Sequence, residues 1–199
     1  MVAYLIKFFN ACKTIISEIK YPTKTYEVKD LRKFILIREQ KKLAKICDLK
    51  KLTEFVNALK PIAALEKYNL WCVLTQAWHE SGGFLRVIGN YNYWGIKKPS
   101  AWAGLTVDVK THEYIDGRRV AVVAKFIDFA SAEKAIVWYM SLITRLYPRA
   151  HINRDNPANF FLGLTLGKCR YATDPTYLPK LKNLYEFLRK NIWLKNLLN

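Results

Sequence analysis

Apolar positions recur every three or four residues through most of this chain and give way to β-prone runs once, near the middle. Val2, Leu5, Ile6, Phe9, Ile16 and Ile19 keep helical spacing, which predicts an amphipathic helix over residues 2–19. The stretch "YPTKTY" interrupts it. A second helix is expected from about Lys29 to Cys47, with Leu31, Phe34, Ile35, Leu43 and Ile46 as its apolar face and Lys and Arg crowding the other positions. Stripes this apolar demand burial, so the first quarter is expected to cover the core as a helical layer; a basic docking arm is the other option. Leu52, Phe55, Val56 and Leu59 predict a helix over 52–59 with Thr53 as a cap near its start, and Pro61 suits the first turn of a separate short helix. Leu70, Val73, Leu74, Ala77 and Trp78 trace one clear stripe, which Gly82 and Gly83 end.

From Gly89 to Gly104 the chain is rich in Asn, Tyr, Trp, Gly and Pro, which reads as loop. "TVDVKTHEYI" and "VAVVAKFIDF" follow, joined through "DGRR", where Asp116-Gly117 is a two-residue hairpin signal. That register sets Ile115 opposite Arg118 and Glu113 opposite Val120, with Glu113 on the strand face of Val107, Val109 and Thr111. Ser131 is expected to cap a helix running to about Tyr147, stopped by Pro148. Asn156-Pro157 starts another, ended near Gly167. Asp174-Pro175 starts the last, with Leu178, Leu181, Leu184, Tyr185 and Leu188 on one side. The outline is an α+β chain, mostly α, with one inserted β-hairpin, a basic helical extension over 1–51 and the main domain over 52–199.

At 199 residues and 51% hydrophobic content the chain can bury one good core. Six Trp and twelve Tyr exceed what packing ordinarily needs, which leaves stacking surfaces for a ligand and a Tyr-rich core both open. The net charge of +17 predicts attraction to a polyanion, be it nucleic acid, an anionic membrane or an acidic cell wall. Basic residues are spread over all segments and no nucleic-acid-binding motif is present, which argues against nucleic acid. Cys12, Cys47, Cys72 and Cys169 are widely spaced with no CxxC pair, so they read as reduced thiols rather than a disulfide framework or zinc ligands. His79 and His112 each precede a glutamate without forming HExxH; no metal or cofactor is expected. No apolar run approaches the ~20 residues that cross a bilayer. "MVAYLIKFFNACK" lacks a basic start and is interrupted by Lys7, a poor secretion signal.

Extending the stripe of Ala77 by three or four residues lands on Glu80, at a helix end beside the loop. Burial and the negative end of the helix dipole should both raise its pKa. A carboxyl group kept protonated near neutral pH is what glycosidic cleavage needs, because the leaving oxygen must receive a proton. A Glu turned to solvent at a fraying helix end is the plainer alternative. Glu113 on the hairpin is a candidate second carboxylate. Of its rivals, Asp108 faces away by alternation and Asp116 belongs to the turn; Asp128 is the third.

"LTQAWHESGGF", "NYNYWGIK", "THEY", "FIDFAS" and "YATDPTYLPKL" occur in that order. Together they resemble the motifs of glucosaminidase-type peptidoglycan hydrolases, glycoside hydrolase family 73, over roughly residues 53–190. The resemblance implies a lysozyme-like helical domain with a β-lobe that cuts the β-1,4 bond after N-acetylglucosamine in peptidoglycan. It implies Glu80 as catalytic acid, Glu113 as second carboxylate, and roles in activity or cleft shape for Tyr171, Asp174 and Tyr177. Asn92, Trp94, Gly95 and Lys97 match the loop along the glycan groove, and Tyr93, Trp102 and Tyr114 are taken as further substrate contacts. Asp174 before Pro175 also suits a helix cap, and Tyr177 also suits packing. The family usually reads "ESGWG" where this chain has "ESGGF", and Trp94 replaces its usual Phe, which would keep an aromatic platform for a sugar ring.

The separation of Glu80 and Glu113 would indicate retention at ~5 Å and inversion if wider; participation by the substrate's N-acetyl group would make Glu113 a helper. A lytic transglycosylase or a muramidase on the same fold is the alternative within the class, and a nucleic-acid-binding or non-catalytic virion structural protein the alternative outside it. Expected partners are peptidoglycan glycan strands, with anionic wall polymers or a membrane surface touched by the basic C-terminal tail, and other virion proteins through residues 1–51. Chain size, charge and the weak signal suggest a phage lysin, made in a host cytoplasm and acting on the wall, or carried in a virion.

Overall fold

The computed structural model describes residues 28–115 and 118–199, so the helix expected over 2–19, Cys12, Asp116 and Gly117 lie outside the described residues. In chain order the elements are α1 (Val28–Leu43), α2 (Leu49–Leu65), α3 (Leu70–Ser81), β1 (Thr106–Ile115), β2 (Arg118–Ile127), α4 (Ala132–Leu146), α5 (Pro148–Ile152), α6 (Pro157–Thr165), α7 (Tyr177–Lys190) and α8 (Ile192–Leu198). The α+β, mostly helical class expected from the pattern is what forms.

Helix α3 is the axis of the fold. Asn69 caps its start by accepting the Trp71 N–H, and every residue from Cys72 to Trp78 is buried. It packs against α2, α6 and α7, so its stripe widens to all sides between half-buried ends, Leu70 and Trp71 at the start and His79 and Glu80 in the last turn. Gly82 closes it in the left-handed region (φ 59°), its N–H turned back to the Trp78 and His79 carbonyls. Gly83 is also left-handed (φ 71°), and a Cβ there would overlap the Ile46 carbonyl oxygen and press on Cys47. The Gly83 carbonyl in turn accepts the Asp48 N–H at 2.9 Å. The turn between α1 and α2 therefore occupies the space a side chain would need, which accounts for glycine at this position. Gly83→Ala is expected to cost at least about 2 kcal/mol, through left-handed strain plus a backbone overlap, read as a lower urea midpoint with an unchanged slope.

Helix α2 corrects two expectations. Asp48, not Thr53, is its cap, accepting the N–H groups of Lys50 and Lys51; the Thr53 hydroxyl donates to the Leu49 carbonyl inside the helix. Pro61 lies within this one helix rather than starting another. A proline there costs roughly 3 kcal/mol, but Leu52, Phe55, Val56 and Leu59 before it and Ala63 after it are buried on one face. Each large side chain contributes about 1.5–3 kcal/mol, so packing wins. The helix runs unbroken over Leu49–Leu65.

On α1, Ile35 and Leu43 are buried while Phe34 (52% exposed) and Ile46 (44%), the latter beyond the helix end, are not. Among the described residues the buried part of the expected five-residue face is thus Ile35 and Leu43, and α8 packs along α1. Leu194 and Leu198 of α8 are buried, so the basic C-terminal tail packs onto the domain. Cys47 and Cys72 are buried thiols and Cys169 is exposed. No helix among the described residues is long and apolar enough to cross a membrane.

The hairpin has the expected antiparallel register, with Ile115 opposite Arg118 and Glu113 opposite Val120. Its root is held by the preceding loop: the Ile127 N–H donates to the Ile96 carbonyl and the Lys98 N–H to the Lys125 carbonyl. Phe126 and Ile127 are buried at that root, whereas Val120 and Val123 farther out are exposed. Ser131 and Asn156 cap α4 and α6 as expected. Pro148 not only stops α4 but opens the short α5 at its first turn, a position that needs no N–H donor. Helix α7 starts at Tyr177, later than the Asp174-Pro175 signal, and a break at Asn191 separates α8.

Candidate active site

Gln76 and Glu80 stand one turn apart on α3, so their side chains leave the same face. Tyr177, at the first position of α7 and 2% exposed, donates its hydroxyl to Glu80 Oε1 at 2.7 Å. The Gln76 amide, fully buried, donates through Nε2 to the Tyr177 oxygen at 3.1 Å. Tyr139 of α4, fully buried, donates its hydroxyl to Gln76 Oε1. Three helices thus feed one line of hydrogen bonds that ends on a half-buried carboxyl group.

Aromatic rings enclose this line. Tyr171 lies parallel to Tyr177, at 6.0 Å between centroids and 10° between planes, and Tyr147 backs Tyr171 at 5.3 Å. His79 sets its ring edge-on to Tyr177 at 5.3 Å. Trp94 stacks flat on Tyr139 at 4.0 Å and 6°.

Burial raises the Glu80 pKa above the ordinary carboxylate range, and the Tyr177 hydrogen bond pulls the other way with the smaller effect. Burial followed by the nearby Glu80 charge raises Tyr171 and Tyr177, while Tyr139 is raised by burial first and by neighbouring groups that include Glu80. All three therefore remain neutral hydrogen-bond donors. His79 is lowered, by burial first and then by Lys180.

The other sequence candidates fall in different places. Asp174 does not touch Glu80; its carboxylate accepts from Lys180 Nζ (2.6 Å), the Thr176 hydroxyl (2.6 Å) and the Thr176 N–H (2.8 Å). Lys180 and then Thr176 hold it far below the ordinary range. It ties down the turn that presents Tyr177. Asn92 is a buried brace, with Nδ2 donating to the Ile96 and Ile127 carbonyls (both 2.9 Å) and Oδ1 accepting the Ile96 N–H. Tyr93 (1% exposed) and Trp94 (3%) are core residues, so Trp94 offers its face to Tyr139 and not to a sugar ring. The loop folds inward there because Phe55, Phe84 and Tyr139 supply an aromatic pocket for both rings. Gly95 is exposed at φ 60°, and Lys97 is exposed where the loop bridges to Phe126. Trp102 is half-buried, its indole N–H on the Leu105 carbonyl at 3.0 Å. The side chains of Glu113 and Tyr114 lie outside the described residues. No His, Cys, Asp and Glu group suited to a metal ion occurs among the described residues.

Sequence reasoning missed Gln76, Tyr139, Tyr147 and His79. A signal existed for Gln76, an amide inside an apolar stripe one turn before the candidate acid. Tyr139 had none, since a tyrosine in the stripe of Ala135, Ile136, Met140 and Ile143 looks like ordinary core.

The Glucosaminidase family, described as mannosyl-glycoprotein endo-beta-N-acetylglucosaminidase, matches residues 56–190. The chain belongs to the glucosaminidase family. The match spans α3, the hairpin and α7, hence every member of the hydrogen-bonded line. Among relatives of this glucosaminidase is the peptidoglycan hydrolase FlgJ of Salmonella typhimurium, 32% identical over 123 residues, which are 59% of this chain and 39% of FlgJ. FlgJ of Pseudomonas aeruginosa is 29% identical over 143 residues, 66% of this chain and 35% of that protein. The chain thus spans less than two fifths of the length of these relatives. A peptidoglycan hydrolase mutant from Sphingomonas sp. A1 has a similar structure, at TM-score 0.57 and 30% identity, covering 73% of this chain and 97% of that one. The glycoside hydrolase domain of Salmonella typhimurium FlgJ matches at TM-score 0.56 and 26% identity, covering 71% and 89%.

Proposed function

We propose that this glucosaminidase cleaves the β-1,4 bond after N-acetylglucosamine in peptidoglycan glycan strands, with Glu80 as general acid. The observation that carries this is a half-buried carboxyl group whose pKa burial raises and whose one oxygen is held by Tyr177. Such a group holds its proton to higher pH than a solvated carboxyl group does and has a second oxygen from which to deliver it to the leaving glycosidic oxygen. The FlgJ and Sphingomonas relatives, named as peptidoglycan hydrolases, support the choice of substrate. The +17 charge supports attraction to an anionic wall.

Glu113 is the second carboxylate of this proposal, supported by its register position opposite Val120 toward the tip of the hairpin. The biological setting is that of a phage lysin, for which detection of the protein in purified virions or in the lysing host is the test. Mass spectrometry of fragments released from purified walls reads bond and reaction together. Reducing-end N-acetylglucosamine is expected. An anhydro-sugar end would replace hydrolysis by lytic transglycosylation, a reducing-end muramic acid would make the protein a muramidase, and intact walls would refute the proposal.

A further inference from the structure

We propose that Gln76 is a positioning residue: it fixes the direction of the hydrogen bonds running into Glu80 and so keeps the acid's proton on Oε2, the oxygen that Tyr177 does not touch. This rests on the reading of Glu80 as the proton donor.

The direction follows from counting protons. Tyr139 is fully buried, and among the described residues its hydroxyl meets only Gln76 Oε1. Were the amide turned over, Gln76 Nε2 would donate to Tyr139, whose own proton would be left buried without an acceptor, at a cost of roughly 1–3 kcal/mol. The amide therefore presents its oxygen to Tyr139 and its N–H to Tyr177. A hydroxyl has one proton to give. With an N–H already aimed at its oxygen, Tyr177 points that proton at Glu80 Oε1.

A carboxyl oxygen that accepts this bond cannot also carry the proton toward Tyr177, so the acid's proton belongs on Oε2. After transfer, the resulting carboxylate meets a donor that needs no reorientation. That is the arrangement that stabilises charge as it develops, and each bond in the line polarises the next. With the amide reversed, Tyr177 would be free to give its proton to Gln76 and accept from Glu80, which would turn the acid's proton inward.

Tyr177 on α7 bonds Glu80 directly, and Tyr171 before α7, Tyr147 after α4 and Tyr139 on α4 are near enough to couple electrostatically with its charge. All stay neutral through the range in which a carboxyl group titrates. His79, beside Tyr177 with Lys180 and Asp174 nearby, is the one group whose own titration must be followed separately.

The experiment is a carbon-13 NMR titration of the Glu80 carboxyl in the full chain, with the His79 ring followed in parallel. Wild type, Gln76→Met and Tyr139→Phe are compared, and kcat and KM are measured on a soluble glycan fragment. Gln76→Met removes the N–H that makes Tyr177 a better donor, so the Glu80 midpoint is expected to move upward. The value of kcat should fall roughly tenfold to a hundredfold with KM within twofold. Tyr139→Phe frees the amide to turn over and should give smaller shifts of the same sign; it decides the matter if Gln76→Met does not fold. An unmoved Glu80 midpoint in the folded variants overturns the proposal, even if kcat falls, because a merely structural amide would lower the folded fraction without touching the titration. A wild-type protein that does not cleave glycan would refute the functional reading, while the midpoints would still report on Gln76.

Discussion

Glu80→Gln is expected to reduce clearing of purified cell walls by about 10²–10⁴-fold, the usual contribution of a positioned proton donor, and to make the protein more heat-resistant at neutral pH. The second effect follows from linkage. Burial raises the folded-state pKa of Glu80 above its ordinary value of 4.5. A group of this kind contributes its full stability below the unfolded pKa and loses it as pH rises through the folded one. Gln carries no such burden. The variant's melting temperature should therefore match wild type well below pH 4.5 and exceed it increasingly from there through the raised folded value. Clearing within a few-fold of wild type would remove Glu80 from the chemistry. A melting difference that ignores pH would remove the claim that its anion is desolvated.

Tyr177→Phe should lower activity by roughly 10²-fold while moving the alkaline limb of the pH–rate profile upward. The ring remains to pack with Tyr171 and His79; what goes is the hydroxyl that donates to Glu80 and accepts from Gln76. That donation favours the charged carboxylate, so its loss raises the Glu80 pKa further. A reaction that needs the protonated acid then persists to higher pH at a lower plateau. Gln76 Nε2 is left buried without an acceptor, costing about 1–3 kcal/mol of stability. A limb that stays put or moves down would show that Tyr177 does not act on Glu80.

The helix around Glu80 was legible because its signals are local: an apolar stripe and paired glycines at its end. The hairpin was legible for the same reason, through Asp-Gly and the β-prone runs beside it. What escaped depends on neighbours distant in sequence. Pro61 reads as a helix start until the buried faces on both sides of it are seen to belong to one helix. Trp94 reads as an exposed platform until Tyr139, 45 residues later in the chain, is found stacked beneath it. Asp174 sits in a motif tied to activity, yet the three hydrogen bonds of its carboxylate go to Thr176 and Lys180. A motif names residues that act together without saying which one meets the substrate.

The seat of Gly83 against Ile46 and Cys47, closed by the bond from Asp48, lies partly ahead of the stretch that matches the family at residues 56–190. The floor under the acid's helix is thus built by a segment that precedes the family match. An N-terminal exchange between relatives is therefore expected to disturb Glu80 unless the residue at 83 is exchanged with it: a bulky side chain there needs the Ile46–Asp48 turn moved away, and the turn as it stands needs glycine. These two stretches, far apart in the chain, would have to be inherited as a pair.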